Sequence, residues 1–187
     1  SALVGAALSE SDPSVAGAVH WALAREGDRV VPALAAAVDS PEIERGRRAV
    51  RALLKIDTPL AAAALAGAGT HPDPWIRRRA AVVRGRQGDL GVVPLLVQSI
   101  CDGDEDVEAA DVLVQLATGP DEQQVICDLV ADRSAVADPA ARLRLTQALA
   151  EIPGPDALAL LRQFLDDPST PVALTARAVL AIRPDRV

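Results

Sequence analysis

Apolar residues recur along this chain three and four positions apart, the spacing that marks one face of an α-helix. Three stretches align on that spacing: DPSVAGAVHWAL from Asp12, DPWIRRRAAVVR from Asp73 and STPVALTARAVL from Ser169. Their apolar faces read Val15, Val19, Ala22; Ile76, Ala80, Val83; and Val172, Ala176, Val179. The last residue of each set has counterparts at Ala52, Val114 and Ala148, so the pattern returns every 30 to 34 residues. A second ladder starts nine or ten residues after each marker. It runs Val31, Leu34, Ala35, Val38 in the first unit and Val93, Leu96, Val97, Ile100 in the third. The second unit has the thinner Ala62, Leu65, Ala66, Gly69, and the fifth the stronger Leu158, Leu161, Leu165. Each unit is predicted to be a helical hairpin of about 31 residues that cannot hide its apolar faces alone and must stack on its neighbours.

The punctuation between ladders agrees. Asp12-Pro13, Asp73-Pro74 and Asp138-Pro139 read as an aspartate cap followed by a proline in the first helical turn, where a missing N–H costs nothing. Pro32, Pro59, Pro94 and Pro155 mark the first turns of second helices, and EGD, QGD and PGPD supply tight connections. The fourth unit is the least regular alignment, with Gln123-Gln124 where Val-Pro is expected. Gly46 and Arg47 interrupt the second, and the fifth carries a short insertion around DRSAVADP. The chain opens on LVGAAL, which reads as the tail of a second helix, and closes on AVLAIRPDRV, the end of a first helix. With no initiator Met, it is expected to be a piece of a longer protein.

Composition narrows the class. Half of the 187 residues are hydrophobic but only 2% are aromatic, namely Trp21, Trp75 and Phe164. The interior must therefore be Ala, Val, Leu and Ile, with strand-favouring Tyr absent, which predicts an all-α chain. A net charge of −7 repels nucleic acid and anionic lipid. No apolar run approaches the roughly 18 residues of a membrane span, and no secretory signal opens the chain. Cys101 and Cys127 have no histidine at ligand spacing and are expected to be buried and reduced, as in a cytoplasmic protein.

The segment DPWIRRRAAVVRGRQGDLGVVPLLVQSI resembles the short HEAT-like repeats of the phycobilisome-lyase type, with aspartate-proline, an aliphatic-arginine pair, an Ala-rich first helix, Gly-Asp and a Val-Pro-Leu second helix. The resemblance spans nearly the whole chain. It implies a single domain over residues 1–187, an all-α right-handed α-solenoid of about five to six antiparallel helical hairpins. It also implies a protein-binding scaffold or regulatory module without catalytic chemistry of its own, since this repeat serves scaffolds, regulators and a few enzymes. Two enzyme-linked alternatives remain: a nucleic-acid-acting protein like the alkylpurine DNA glycosylases, and an accessory protein like the bilin lyases. The first lacks a basic cleft, and the second would need an aromatic-lined groove.

One cluster invites a functional reading. His71, Asp73, Trp75 and Arg77, Arg78 and Arg79 crowd into a loop and helix start, with Arg45, Arg47, Arg48 and Arg51 on the preceding unit. Arginine in a first turn opposes the helix dipole by about 0.3–1 kcal/mol each, so something should offset it. Two accounts stand. The arginines form an inter-repeat ladder to carboxylates of the next loop, such as Asp102, Asp104, Glu105 and Asp106, or they make a basic binding stripe. Trp75 either staples the loop or presents an aromatic anchor to a partner. Trp21 is expected in the core or at a groove edge. The acidic run 102–111 lacks the glycine and terminal glutamate of a calcium loop, holding Val107 and Leu113 there, and reads as a capped helix start. With two distant histidines and no nucleophile or phosphate motif, no catalytic, metal or cofactor residues are assigned. The partner-binding candidates are Trp75, Arg77, Arg78, Arg79, Arg47 and Arg48. The partner is expected to be a protein or an adjoining domain, with neither nucleic acid nor membrane.

Overall fold

The computed structural model describes residues 2–183, apart from the Pro13 side chain. Twelve α-helices and four short 3₁₀ turns, with no strand, make up the described residues. The helices are α1 (Ala2–Ser9), α2 (Pro13–Glu26), α3 (Val31–Val38), α4 (Ile43–Leu53), α5 (Pro59–Ala66) and α6 (Pro74–Arg86). They continue as α7 (Val93–Asp102), α8 (Asp106–Leu116), α9 (Pro120–Ser134), α10 (Pro139–Leu149), α11 (Pro155–Gln163) and α12 (Thr170–Ile182).

The predicted stop and start signals act as expected. Asp12 accepts hydrogen bonds from the N–H groups of Ser14 and Val15, and Asp138 from that of Ala141. Proline occupies the first turn of α3, α5, α7 and α11. Gly27, Gly88 and Gly154 turn the chain at positive φ, a region where a side chain would be strained. In the fourth hairpin the first-turn proline is Pro120 at the start of α9, three residues before the glutamines that seemed to displace it. The apparent insertion after it lengthens α9 to 15 residues, the longest helix described.

The chain divides into two compact units, Ser1–Val83 and Arg84–Val187. In the first, α1, α3 and α5 pack in succession as one layer, and α4 lies across all three. In the second, α7, α9 and α11 form one layer and α8, α10 and α12 the other, each helix touching its neighbours along the row and across it. Each unit is thus a short stretch of all-α solenoid: its helices queue beside one another, and the apolar seam between the layers is its core. In the first unit that core gathers Leu23, Leu34, Leu53, Ala61 and Ile76, with Trp75 packed on its margin.

The repeat markers hold at Ala52, Val83, Ala148 and Val179, all buried, but three ladders are displaced by one residue. In α2 the buried residue is Leu23, while Val15 is 46% exposed and Ala22 half-buried. In α8, Val112 and Leu113 are buried in place of Val114. Across α11 and the 3₁₀ turn after it the buried row is Ala157, Leu160, Leu161 and Phe164, so Leu161 keeps its predicted place while Leu158 and Leu165 stand at the edge. A helical apolar stripe is more than 100° wide, and packing against the neighbouring helices selects which of its residues takes the centre. Of the two places expected for Trp21, the core is excluded: the side chain is 66% exposed.

Gly46, read from sequence as an interruption, is a requirement. A Cβ there would stand 2.6 Å from the carbonyl oxygen of Val38, so glycine is what lets α4 approach the end of α3.

A tryptophan among arginines: the candidate partner-binding site

The site is built on the loop entering α6. Asp73 accepts hydrogen bonds at Oδ1 from the N–H groups of Trp75 and Ile76, at 2.8 and 3.2 Å, closing the first turn of the helix. Its other oxygen takes Arg47 from α4, with Nε at 3.0 Å and Nη2 at 2.9 Å. Burial pushes the Asp73 carboxyl up, but the Ile76 N–H, the Arg47 guanidinium and the Trp75 N–H outweigh it and hold the group below its usual value. The N–H of Asp73 donates to His71 Nδ1 at 3.0 Å, which leaves the imidazole proton on Nε2, 3.9 Å from Asp39 Oδ1. Arg77, at the unfavourable end of the α6 dipole, turns back so that Nη1 donates to the carbonyls of His71 and Pro72, each at 2.7 Å. That contact is the offset its position demanded.

Above this loop sits the Trp75 ring, half-buried. Three guanidinium groups face it: Arg51 at 5.1 Å, Arg79 at 5.5 Å and Arg47 at 5.9 Å from its centroid. Each such contact contributes about 0.5–1 kcal/mol at a partly exposed site. Arg47 also pairs with Glu44 at 3.3 Å, and Arg51 lies 3.8 Å from the same carboxylate. The basic field extends toward α2. His20 titrates below its usual value, first because it is partly buried and then because Lys55 and Arg51 stand near it. At the far end, Arg25 stacks 5.1 Å from the exposed Trp21 ring.

The six sequence candidates therefore fall on two neighbouring helices with different tasks. Arg47 is tied to Asp73, Arg77 to its own loop, and Arg48 donates to the Leu8 carbonyl at the end of α1 at 3.3 Å. Arg78 and Arg79 are half-buried. Trp75 is held at the centre by its arginine neighbours. Sequence reasoning set Arg51 beside the stripe but did not choose it, and passed over Lys55; both are exposed. Their position four residues apart, Arg51 on α4 against the Trp75 ring and Lys55 just past its end, both near His20, was the available signal.

Arginine-to-aspartate ladders between successive repeats do occur. Besides Arg47–Asp73, Arg142 donates through Nε and Nη2 to both oxygens of Asp167, at 2.8 and 3.2 Å. Arg142 lies close enough, with the N–H of Ser169, to hold Asp167 low although burial pushes it up. Asp73 and Asp167 are thus structural carboxylates, each saturated by a guanidinium and backbone N–H groups. The acidic run 102–111 leads into α8, but the cap expected there is not a side-chain one: Glu105 stands at the N-cap with φ 55° and no side-chain cap hydrogen bond, while Glu108 pairs with Arg86 at 2.7 Å. Both cysteines are buried and unbonded. Among the described residues no group of three or more metal-binding side chains converges, and no helix is long and apolar enough to cross a membrane.

A family profile described as HEAT repeats matches residues 1–83, the same residues that form the first unit. No curated protein sequence matches the chain. Among solved structures that match is the designed armadillo repeat protein YIII(Dq)4CqI, with 15% sequence identity and a TM-score of 0.49 over 96% of this chain and 98% of that chain.

Proposed function

Taking the first unit as a run of HEAT repeats, we propose that this chain is a non-catalytic protein-binding scaffold whose anchor is the Trp75 face of that unit. The observation that supports this most is the half-buried Trp75 ring ringed by Arg47, Arg51 and Arg79, beside exposed Lys55. An aromatic ring held rigid by its neighbours loses little entropy when a partner covers it, and Trp and Arg are the residue types that most often dominate binding energy. Arg47, Arg48 and Arg77 keep the surface in shape through internal bonds, while Trp75, Arg51 and Lys55 offer it outward. Arg78 and Arg79 extend the same edge. The charges favour a carboxylate-rich protein segment, either from a separate protein or from an adjoining domain.

Asp12, Asp138 and Asp167 serve caps and ladders, and no catalytic step is assigned to a carboxylate. We infer a cytoplasmic location, a reading that the two buried, unbonded cysteines support. The test is affinity capture with wild type, Trp75→Ala and Arg51→Glu, each first checked for its helical signal and melting temperature. A protein retained in stoichiometric amount by wild type and released by both variants supports the scaffold reading. Retention unchanged by both variants, or no retained protein at all, removes it.

A further inference from the structure

The second unit carries a different surface. The first unit has ten basic and nine acidic residues, the second nine basic and seventeen acidic, so the chain's negative charge lies in residues 84–187. Five of its arginines are engaged within the unit. Arg84 binds Asp89, Arg86 binds Glu108 and Arg142 binds Asp167. Arg144 donates to the carbonyls of Ile100 and Cys101 at the end of α7, and Arg183 to those of Leu149, Ala150 and Ile152 at the end of α10. Arg144 and Arg183 thus complement helix C-termini, and Arg84, Arg86 and Arg142 are each committed to a carboxylate.

Between α8 and α10 lies an open groove of about 190 Å³. Ile100, Ala110, Val114 and Ala148 form its apolar floor, and Val107, 72% exposed, stands on the rim. Small side chains on facing turns keep the two helices from filling the gap. Asp111 and Glu151 flank it, both exposed, and neither forms an ion pair among the described residues. The one basic side chain among the lining residues, Arg144, donates through Nε and Nη2 to the α7 carbonyls of Ile100 and Cys101.

We propose that this groove is an anchor site for a basic segment of a partner protein, taking one arginine whose methylene stem lies on the apolar floor and whose guanidinium reaches Asp111 and Glu151. The stem and the head of arginine match the two halves of the groove: apolar surface below, unneutralised carboxylates at the mouth. The volume suits one long side chain, so neighbouring basic residues of the segment gain from the acidic field of the unit. This site is separate from the Trp75 face in residues, charge sign and unit.

The probe is a fluorescein-labelled helical peptide of Ala, Leu and Arg, with an arginine at every fourth position, titrated by fluorescence polarisation. Wild type is expected to bind it, more weakly as salt rises. Asp111→Asn with Glu151→Gln should weaken binding about tenfold or more. Asp128→Asn with Asp132→Asn removes the same charge from α9 and should change it less than about twofold. Arg51→Glu, which tests the Trp75 face, should leave it unchanged. Equal weakening by the two double variants would show attraction to diffuse charge and overturn the proposal, as would absence of binding. Self-association of wild type abolished by Asp111→Asn with Glu151→Gln would assign the groove to a second copy and overturn it too. Should the double variant lose its helical signal, Glu151→Gln alone carries the test, with a weakening of about threefold expected.

Discussion

Arg47 of α4 and Asp73 before α6 lie 26 positions apart in sequence, yet the guanidinium grips the carboxylate through two nitrogens at 3.0 and 2.9 Å. The same carboxylate caps α6, so one aspartate joins two successive repeats and starts a helix. Its side chain is 5% exposed, against 31% for Arg47. Removing the cation leaves a buried charge.

Arg47→Ala should therefore destabilise the chain by about 2–3 kcal/mol, below the full cost for a fully buried pair because Arg47 is partly solvated. Asp73→Asn keeps a side-chain acceptor for the cap and should cost less than Asp73→Ala by about 1 kcal/mol. Urea unfolding followed by circular dichroism measures both. Equal loss for the two Asp73 variants would show that the cap contributes nothing.

Gly46 and Gly17 should respond to alanine in opposite directions. At Gly46 a methyl group meets the Val38 backbone carbonyl and must push α4 from α3, at about 2–3 kcal/mol. At Gly17, inside α2, nothing lies within 4 Å of the added carbon, and the better helix former should stabilise by about 0.5–1 kcal/mol. Thermal melts of the two variants decide the matter by their signs.

Stability should fall in two pH windows. Asp73, Asp89, Asp138 and Asp167 all titrate below the usual carboxylate value in the folded chain. The stability they supply is complete above the unfolded value near 3.9 and is lost as pH drops through their lower folded values. His20 is also depressed, so below about pH 6.5 the unfolded chain takes up a proton that the folded one resists, and stability declines on acidification. His20→Gln should flatten the curve just below about pH 6.5 while leaving the acid limb in place.

Burial, followed by the nearby Asp156 and Asp128 carboxylates, pushes the Cys127 thiol up to about 11. A thiol so protonated and covered is a poor nucleophile. Ellman's reagent at neutral pH should react with Cys127 only at the rate of unfolding, and at once in denaturant. Rapid reaction of the native Cys101→Ser variant would contradict that burial.

Much of the fold was readable from residue order because its signals are local. A cap needs an acceptor at Asp12 or Asp138 and a proline behind it, and both are adjacent in the chain. The ladders were readable to within one residue, as Leu23 in place of Ala22 shows, because periodicity gives a stripe and packing selects its centre. The candidate site was less readable. Its arginines could be counted, but whether each faces inward or outward depends on acceptors such as the Leu8 carbonyl and the Asp73 carboxylate, far away in sequence.

Sequence by itself determined that the chain is helical, where most helices start, and that apolar faces repeat about every 31 residues. These follow from backbone hydrogen bonding and side-chain spacing within a few turns. Only tertiary structure decided that Gly46 is a close approach, that Trp21 lies outside and Trp75 at the core margin, and which cations are consumed. Those outcomes depend on the distance between helices, set by many side chains packing at once, and no single stretch of sequence contains it.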